Sequence, residues 1–341
     1  MPLPGRAAAP GIITVEKNAE PMLIYLLRRL LYIVPVAIGV SIICFLLVHI
    51  APGDPLTSIM AVDATQEEQA AMRAAYGLDK PLPVQYGIWI GKAVTGDLGE
   101  SIATGRPVVG EVFNAVRNSL LLAVAASFVA FPVGLILGFL AGYFRDTVVD
   151  KAITAVAITG VSLPNYWLGI VLVIVFSVTL GWLPAMGAGP GSSGGSADWA
   201  WDWAHIRHLV LPAITLSVVP IGIVARTVRA LVGEIFSMDF VQALYAKGLN
   251  QGAVLRHVVR NAAPTALSVM GIQLGYLLGG SILIETVFNW PGSGFLLSNA
   301  IFQRDLPLLQ GTILVLALFF IFANLIVDVA QAAIDPRIKR S

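Results

Sequence analysis

The chain has 341 residues, 57% of them apolar and only 12% charged, with a formal net charge of +1. That balance excludes an ordinary soluble domain, and near-neutrality gives nucleic acid no basic surface to bind. A single cysteine, Cys44, excludes an intrachain disulfide, and no Cys/His cluster has the spacing of a metal site.

Six apolar runs follow in order: Leu30–Ile50, Ser119–Phe144, Ala152–Trp182, Leu209–Ala225, Ala266–Val287 and Leu308–Ala333. About 20 apolar residues cross a bilayer as a helix, so the pattern predicts an all-α integral membrane protein with six transmembrane helices. Residues 1–21 lack apolar periodicity and read as a disordered extension. The first span, 22–50, opens with Arg28 and Arg29 and has no A-x-A site after it, so it reads as an uncleaved signal anchor. The loop 51–117 contains Thr65-Gln66-Glu67-Glu68, a capping box predicting a helix to Tyr76. Tyr86–Ile90 has the aromatic content of an interface-lying segment.

Spans two to four occupy 118–232. Gly134, Gly138 and Gly142 in span two, like Gly271, Gly275 and Gly279 in span five, give smooth faces for close helix approach. Such faces serve packing, or sliding during transport. Ser162-Leu163-Pro164-Asn165 interrupts the third run, predicting one kinked helix with a re-entrant break as the alternative. A linker, 183–208, is Gly/Ser-rich and carries Trp199, Trp201 and Trp203, consistent with an outer aromatic belt. Span four is the shortest, with Arg226 and Arg229 placed to snorkel from its end.

Segment 233–265 is the polar interruption. Asp239 is placed to cap a helix, and Phe240, Val241, Leu244 and Tyr245 recur at helical spacing. Lys247 falls in the last turn and Gly248 supplies the stop. After Asn250 a second short piece puts Val254, Leu255, Val258 and Val259 on one side and Arg256, His257 and Arg260 on the other. Asn261 and Pro264 end it. The prediction is two short amphipathic helices at an angle. Spans five and six, 266–333, contain Gln273, Glu285, Asn324 and Asp328, and 334–341 form a tail. Asn324 and Asp328 share a helical face suited to interhelical hydrogen bonds, whereas Glu285 near the outer end is the candidate for lining a gate. With the N-terminus inside, Lys and Arg concentrate on the inner side of the short loops. Both termini and segment 233–265 then fall in the cytoplasm.

Gln242-Ala243, Ala246-Lys247-Gly248-Leu249, Arg256-His257, Arg260-Asn261 and Pro264 resemble the "EAA" loop of ABC importer permeases, closest to the dipeptide/oligopeptide/nickel branch. Gln242 and Leu244 depart from that loop's usual residues, and the run from Gly248 to Pro264 is slightly shorter. RRLLYIVPVAIGVSIICFLLVHIAPGDP and ETVFNWPGSG…RDLP…NLIVD…DPRI resemble the same family, so the likeness covers Leu23 to Ile338 and makes Met22 an alternative start.

The resemblance implies a type I importer permease architecture and an ATPase-coupling role for Asp239, Gln242, Ala243, Ala246, Lys247, Gly248, Leu249, Arg256, His257, Arg260 and Asn261. It implies a second homologous permease, two ABC ATPase subunits carrying ATP and Mg, and an extracytoplasmic solute-binding protein. Peptides lead as solute, with nickel chelates or oligosaccharides as alternatives. Asn165, Gln273, Glu285, Asn324 and Asp328 are the candidates along the pathway. The chain has no P-loop, no H-E-x-x-H and no G-x-S-x-G, so no catalysis and no cofactor are expected of it. An autonomous channel or secondary transporter would need charged groups near the midplane, where only Asn165, Gln273 and a few other neutral polar residues lie. A membrane enzyme would need a nucleophile–base pair.

Overall fold

The computed structural model describes residues 22–50, 65–75, 79–191, 199–279 and 281–334. The expected N-terminal extension, the expected helix end at Tyr76, residues 192–198 of the Gly/Ser linker and nearly all of the C-terminal tail lie outside the described residues. Within them the chain is helical, and its one β-bridge is the isolated pair Glu100 and Pro107.

Helix α1 (Met22–Ile50) holds the first apolar run. The outer loop contributes α2 (Gln66–Ala75), closed by the expected capping box: the Thr65 N–H donates to Glu68 at 2.9 Å and the Glu68 N–H to Thr65 Oγ1 at 3.3 Å. Those Thr65 donors hold the Glu68 carboxyl below its ordinary pKa. Helix α3 (Leu82–Val94) lays Tyr86 and Trp89 against Phe45 of α1, and the Tyr86 hydroxyl lies 2.8 Å from Ser41 Oγ.

Helix α4 (Val108–Tyr143) starts well before the second apolar run, because Val108, Val112 and Val116 bury a stripe against the outer elements. Helix α7 (Trp203–Phe236) likewise overruns the fourth. Asp202 caps it by accepting from the His205 N–H at 2.9 Å, and it continues through Pro212 and Pro220. The imidazole beside Asp202 holds that carboxyl below its usual range. Helices α4 and α7 run parallel and pack tightly. A Cβ on Gly138 would stand 2.5 Å from the Ala225 carbonyl oxygen, and one on Gly142 would stand 2.7 Å from Val232 Cβ. The glycine stripe of the second span is therefore the contact surface for the fourth.

The third run is more than kinked. Helix α5 (Val148–Ser162) ends at Leu163, and α6 (Asn165–Leu172) restarts at 102° to it, continuing as a π-helical segment, Val173–Thr179. Pro164 is the cause: it drives Leu163 to ψ 136°, out of the helical region. Four described helices, α4, α7, α9 (Gln251–Gly279) and α12 (Leu306–Ile334), are long and apolar enough to cross a membrane, and the bent α5–α6 pair has the length and composition of a fifth, as a broken span or a re-entrant loop. With α1, these correspond to the six predicted runs.

The fifth run is divided. After α9 the chain forms α10 (Ile282–Val287) and then α11 (Ser293–Gln303), a hairpin absent from the sequence expectation. It packs at the α4 N-terminus, at the end of the bundle that also holds Trp199. Trp199 lies 5.7 Å from Trp290 with the ring planes tilted by 60°, while Trp201 and Trp203 are exposed.

Candidate functional site

At the opposite end of the bundle lies the short helix α8 (Asp239–Ala246), hung between α7 and α9. Met238, not Asp239, is its N-cap residue. Asp239 is the first helical residue, where its charge favours the helix dipole. At the other end Gly248 adopts φ 74°. Its N–H donates to the Tyr245 carbonyl at 2.9 Å, and the Leu249 N–H to the Leu244 carbonyl at 3.2 Å. These are the two bonds of a Schellman closure, and Leu244 and Leu249 both pack against the apolar cluster beneath it.

The turn is fixed to the bundle from below. Val241 is 1% exposed and joins Val228, Val232 and Ile235 of α7 and Val254, Val258 and Ala262 of α9 in one cluster. Asn250 then caps α9, its Oδ1 accepting from the Ala253 N–H at 2.9 Å. Gln251 donates through its amide to the Tyr143 hydroxyl at the end of α4.

The solvent face of the same turn carries Asp239, Phe240, Gln242, Ala243, Tyr245, Ala246, Lys247 and Gly248, all exposed. Arg256, His257, Arg260 and Asn261 extend this face along α9. The Asn261 amide donates to the His257 carbonyl at 2.9 Å.

Two expectations for this segment need correction. The second short helix does not exist: α9 runs without interruption from Gln251 through Pro264 into the fifth span. Val254, Val258, Ala262 and Ala266 form one buried stripe across the proline, and losing one backbone hydrogen bond costs less than exposing that stripe. Val259 is 49% exposed rather than on the apolar side.

Arg229 does not snorkel. Its guanidinium grips both carboxylate oxygens of Asp150, at 2.7 Å from Nη2 to Oδ2 and closer still from Nε to Oδ1. Asp150 also accepts from the Asp146 N–H at 2.9 Å and from Thr154 Oγ1 at 3.1 Å. This ties the start of α5 to α7 about two turns before the end of α7. Sequence reasoning missed Asp150, since nothing local marks a partner 79 residues away.

The candidates along the pathway are scattered. Asn165 starts α6 and donates to the Tyr276 hydroxyl of α9 at 3.2 Å, bridging the broken span to the fifth. Gln273 is buried, and its Oε1 has no hydrogen-bond partner. Asn324 on α12 faces α9, where its Oδ1 would lie 3.2 Å from a Cβ on Gly275. The Asp328 side chain lies outside the described residues.

Glu285, expected to line a gate, is wholly buried. It accepts from Ser119 Oγ at 2.6 Å, from the Gly294 N–H at 2.7 Å and from the Phe295 N–H at 3.3 Å. It therefore satisfies the free N–H groups at the start of α11 and clamps the hairpin to α4. Gly292 must lack a side chain here, because a Cβ would sit 2.4 Å from the carboxylate carbon. Asp305 does the same for α12, accepting from the Leu308 N–H at 3.1 Å and, across the outer loop, from Ser101 Oγ and the Ala103 N–H. Among the described residues no group of acids, histidines or cysteine has metal-binding geometry.

Residues 134–340 match the family described as binding-protein-dependent transport system inner membrane component, and residues 22–135 match the N-terminal part of such membrane components. The chain is 37% identical over 332 residues to the dipeptide transport system permease protein DppB of Alkalihalophilus pseudofirmus, covering 93% of this chain and 100% of that protein. It is 39% identical over 319 residues to the glutathione transport system permease protein GsiC of Escherichia coli K12, covering 93% and 99%. In fold it is similar to a chain of the MetNI methionine ABC transporter solved in inward-facing form. The TM-score is 0.52 at 18% identity, over 66% of this chain and 96% of that one.

Proposed function

The chain belongs to the binding-protein-dependent transport system inner membrane component family, and from that premise we propose that it forms half of a peptide pathway worked through α8. It is a multi-pass permease subunit of an ABC importer in the cell inner membrane. Its proposed companions are a second permease of similar fold, two ATPase subunits that bind ATP and Mg, and an external solute-binding protein. Peptide as the solute rests on the dipeptide and glutathione permeases to which the chain is similar. Both termini and α8 are assigned to the cytoplasm.

The observation that carries the coupling role is the two-sidedness of α8. Its exposed face, Phe240, Gln242, Tyr245 and Lys247, is free for an ATPase groove, while its buried face is packed on α7 and α9. A push on α8 passes directly into both spans. It passes to α4 through Gln251 and Tyr143, and to the broken span through Asp150 and Arg229. Asn165 and Tyr276 then connect α6 to α9, so the polar groups Asn165, Gln273 and Asn324 shift with the spans that carry them; Asp328 is proposed to lie along the same pathway. Nucleotide-driven closure of the ATPases moves this chain only if they bind its two conformations with different affinity.

The test uses Lys247→Cys, since the native Cys44 is buried. In sealed vesicles the new thiol should react with an impermeant maleimide only from the cytoplasmic side, and should cross-link to a co-purifying ATPase. Labelling from the exterior alone, or cross-links to no nucleotide-hydrolysing subunit, would refute the assignment.

A further inference from the structure

Behind the two buried carboxylate clamps lies a cavity that the coupling mechanism does not use. It has a volume of about 410 Å³ and opens between the first turns of α4 and helix α11. That is within the range of ligand pockets, roughly 300–1,000 Å³. We propose that this cavity is a binding site for the two charged termini of a short peptide. The inference rests on the peptide reading given above and adds a place on this chain where the solute is held.

Depth is the first argument. Helix α4 has 36 residues, about 54 Å at 1.5 Å per residue, against roughly 30 Å of hydrocarbon. The cavity is lined by its first three turns, at the end remote from the Tyr143–Gln251 bond and α8. It therefore stands in the water-exposed interface, on the side from which an importer receives solute.

Lining chemistry is the second. One guanidinium, Arg106, and one carboxylate, Glu111, reach the same cavity, together with the carboxamides of Asn114, Asn299 and Gln303. A carboxamide both donates and accepts, as does a peptide bond. Arg106 suits a terminal carboxylate and Glu111 a terminal ammonium. Phe295 and Leu296 supply an apolar wall for side chains. A phosphate or anionic headgroup would instead meet Glu111 as a like charge.

Rigidity is the third. The wall at Pro291–Gly292 is held by the Asn118 amide, which donates to the Pro291 carbonyl at 2.9 Å, and by Glu285 behind it. The wall at Thr104 is held by Ser101 and Ala103 on Asp305, and Thr104 Oγ1 donates to Glu111 at 3.0 Å. Two fully buried acids thus preform the cavity, which lowers the ordering cost of binding.

The experiment places Asn299→Cys in the full-length chain in nanodiscs and follows its maleimide labelling rate. Trialanine should slow labelling at least threefold, and N-acetyl-trialanine amide, which lacks both charges, should not. Arg106→Gln should raise the half-protecting trialanine concentration about tenfold, the usual effect of losing a hydrogen bond to a charged group. Gln303→Cys gives the same readout should Asn299→Cys fail to fold. No protection by trialanine, equal protection by the blocked peptide, or protection by inorganic phosphate overturns the site. Peptide uptake by the assembled transporter without protection overturns the site alone. Protection in a transporter that imports no peptide keeps the site and refutes the import reading.

Discussion

Replacing Gly248 isolates backbone conformation from contact. Its φ of 74° lies in the left-handed region, and a Cβ there would meet nothing within 4 Å. Any penalty therefore comes from the chain itself. An L-residue in that region costs about 1–2 kcal/mol, whereas Asn tolerates it better. Valine belongs at the upper end, since β-branching restricts it further. About 2 kcal/mol shifts the population of the Schellman-closed turn about thirtyfold, releasing the bonds at Tyr245 and Leu244 that present α8. The assay is uptake per ATP hydrolysed, in vesicles containing the permeases and their ATPases. Gly248→Val should retain ATP hydrolysis and lose more than tenfold in uptake, Gly248→Ala should fall between, and Gly248→Asn should stay within about threefold of the parent. The melting temperature of the spans should hold, because the residue touches no core. Normal uptake by Gly248→Val, or equal losses for Asn and Val, would refute the conformational argument.

Two further outcomes follow from packing and charge. Gly138→Ala forces a methyl against the Ala225 carbonyl and Val228 Cβ and should destabilise by about 1–3 kcal/mol. Gly87→Ala, which meets nothing within 4 Å, should be neutral or stabilising; thermal unfolding in detergent compares the two. Arg229→Ala leaves the Asp150 side chain, 2% exposed, without its cation. Breaking such a pair costs about 3–5 kcal/mol, and Arg229 is itself 32% exposed, so the lower end applies. The double variant Asp150→Asn/Arg229→Ala, compared with each single change, should recover part of that loss in a double-mutant cycle, and full additivity would show that the pair is not coupled.

Much of the molecule was legible because its physics is local. The capping box at Thr65 and Glu68, the glycine stop at Gly248 and the apolar runs of the spans each depend on residues within a turn or two of one another. The glycines of α4 announced a close helix contact, though not that α7 would be the partner.

The prolines mark the boundary of that reading. Pro164 breaks its run, as a proline rule predicts, whereas Pro264 does not end α9 and Pro212 and Pro220 do not end α7. The local penalty is similar in each case, about 3 kcal/mol. What differs is whether a buried stripe continues past the ring, and that is set by the neighbouring helix.

By itself the sequence determined the number of apolar segments, the capping box at Thr65 and Glu68, the glycine stop at Gly248, and the family. Only the tertiary structure decided that Asp150 belongs to Arg229, that Glu285 and Asp305 are spent on clamping helix ends, and that the wall of the α4–α11 cavity exists. Each of these depends on at least one bond between residues far apart in the chain, 204 positions for Ser101 and Asp305 and 166 for Ser119 and Glu285. A charge in a sequence states its need for a partner, but the partner is chosen by how the helices pack.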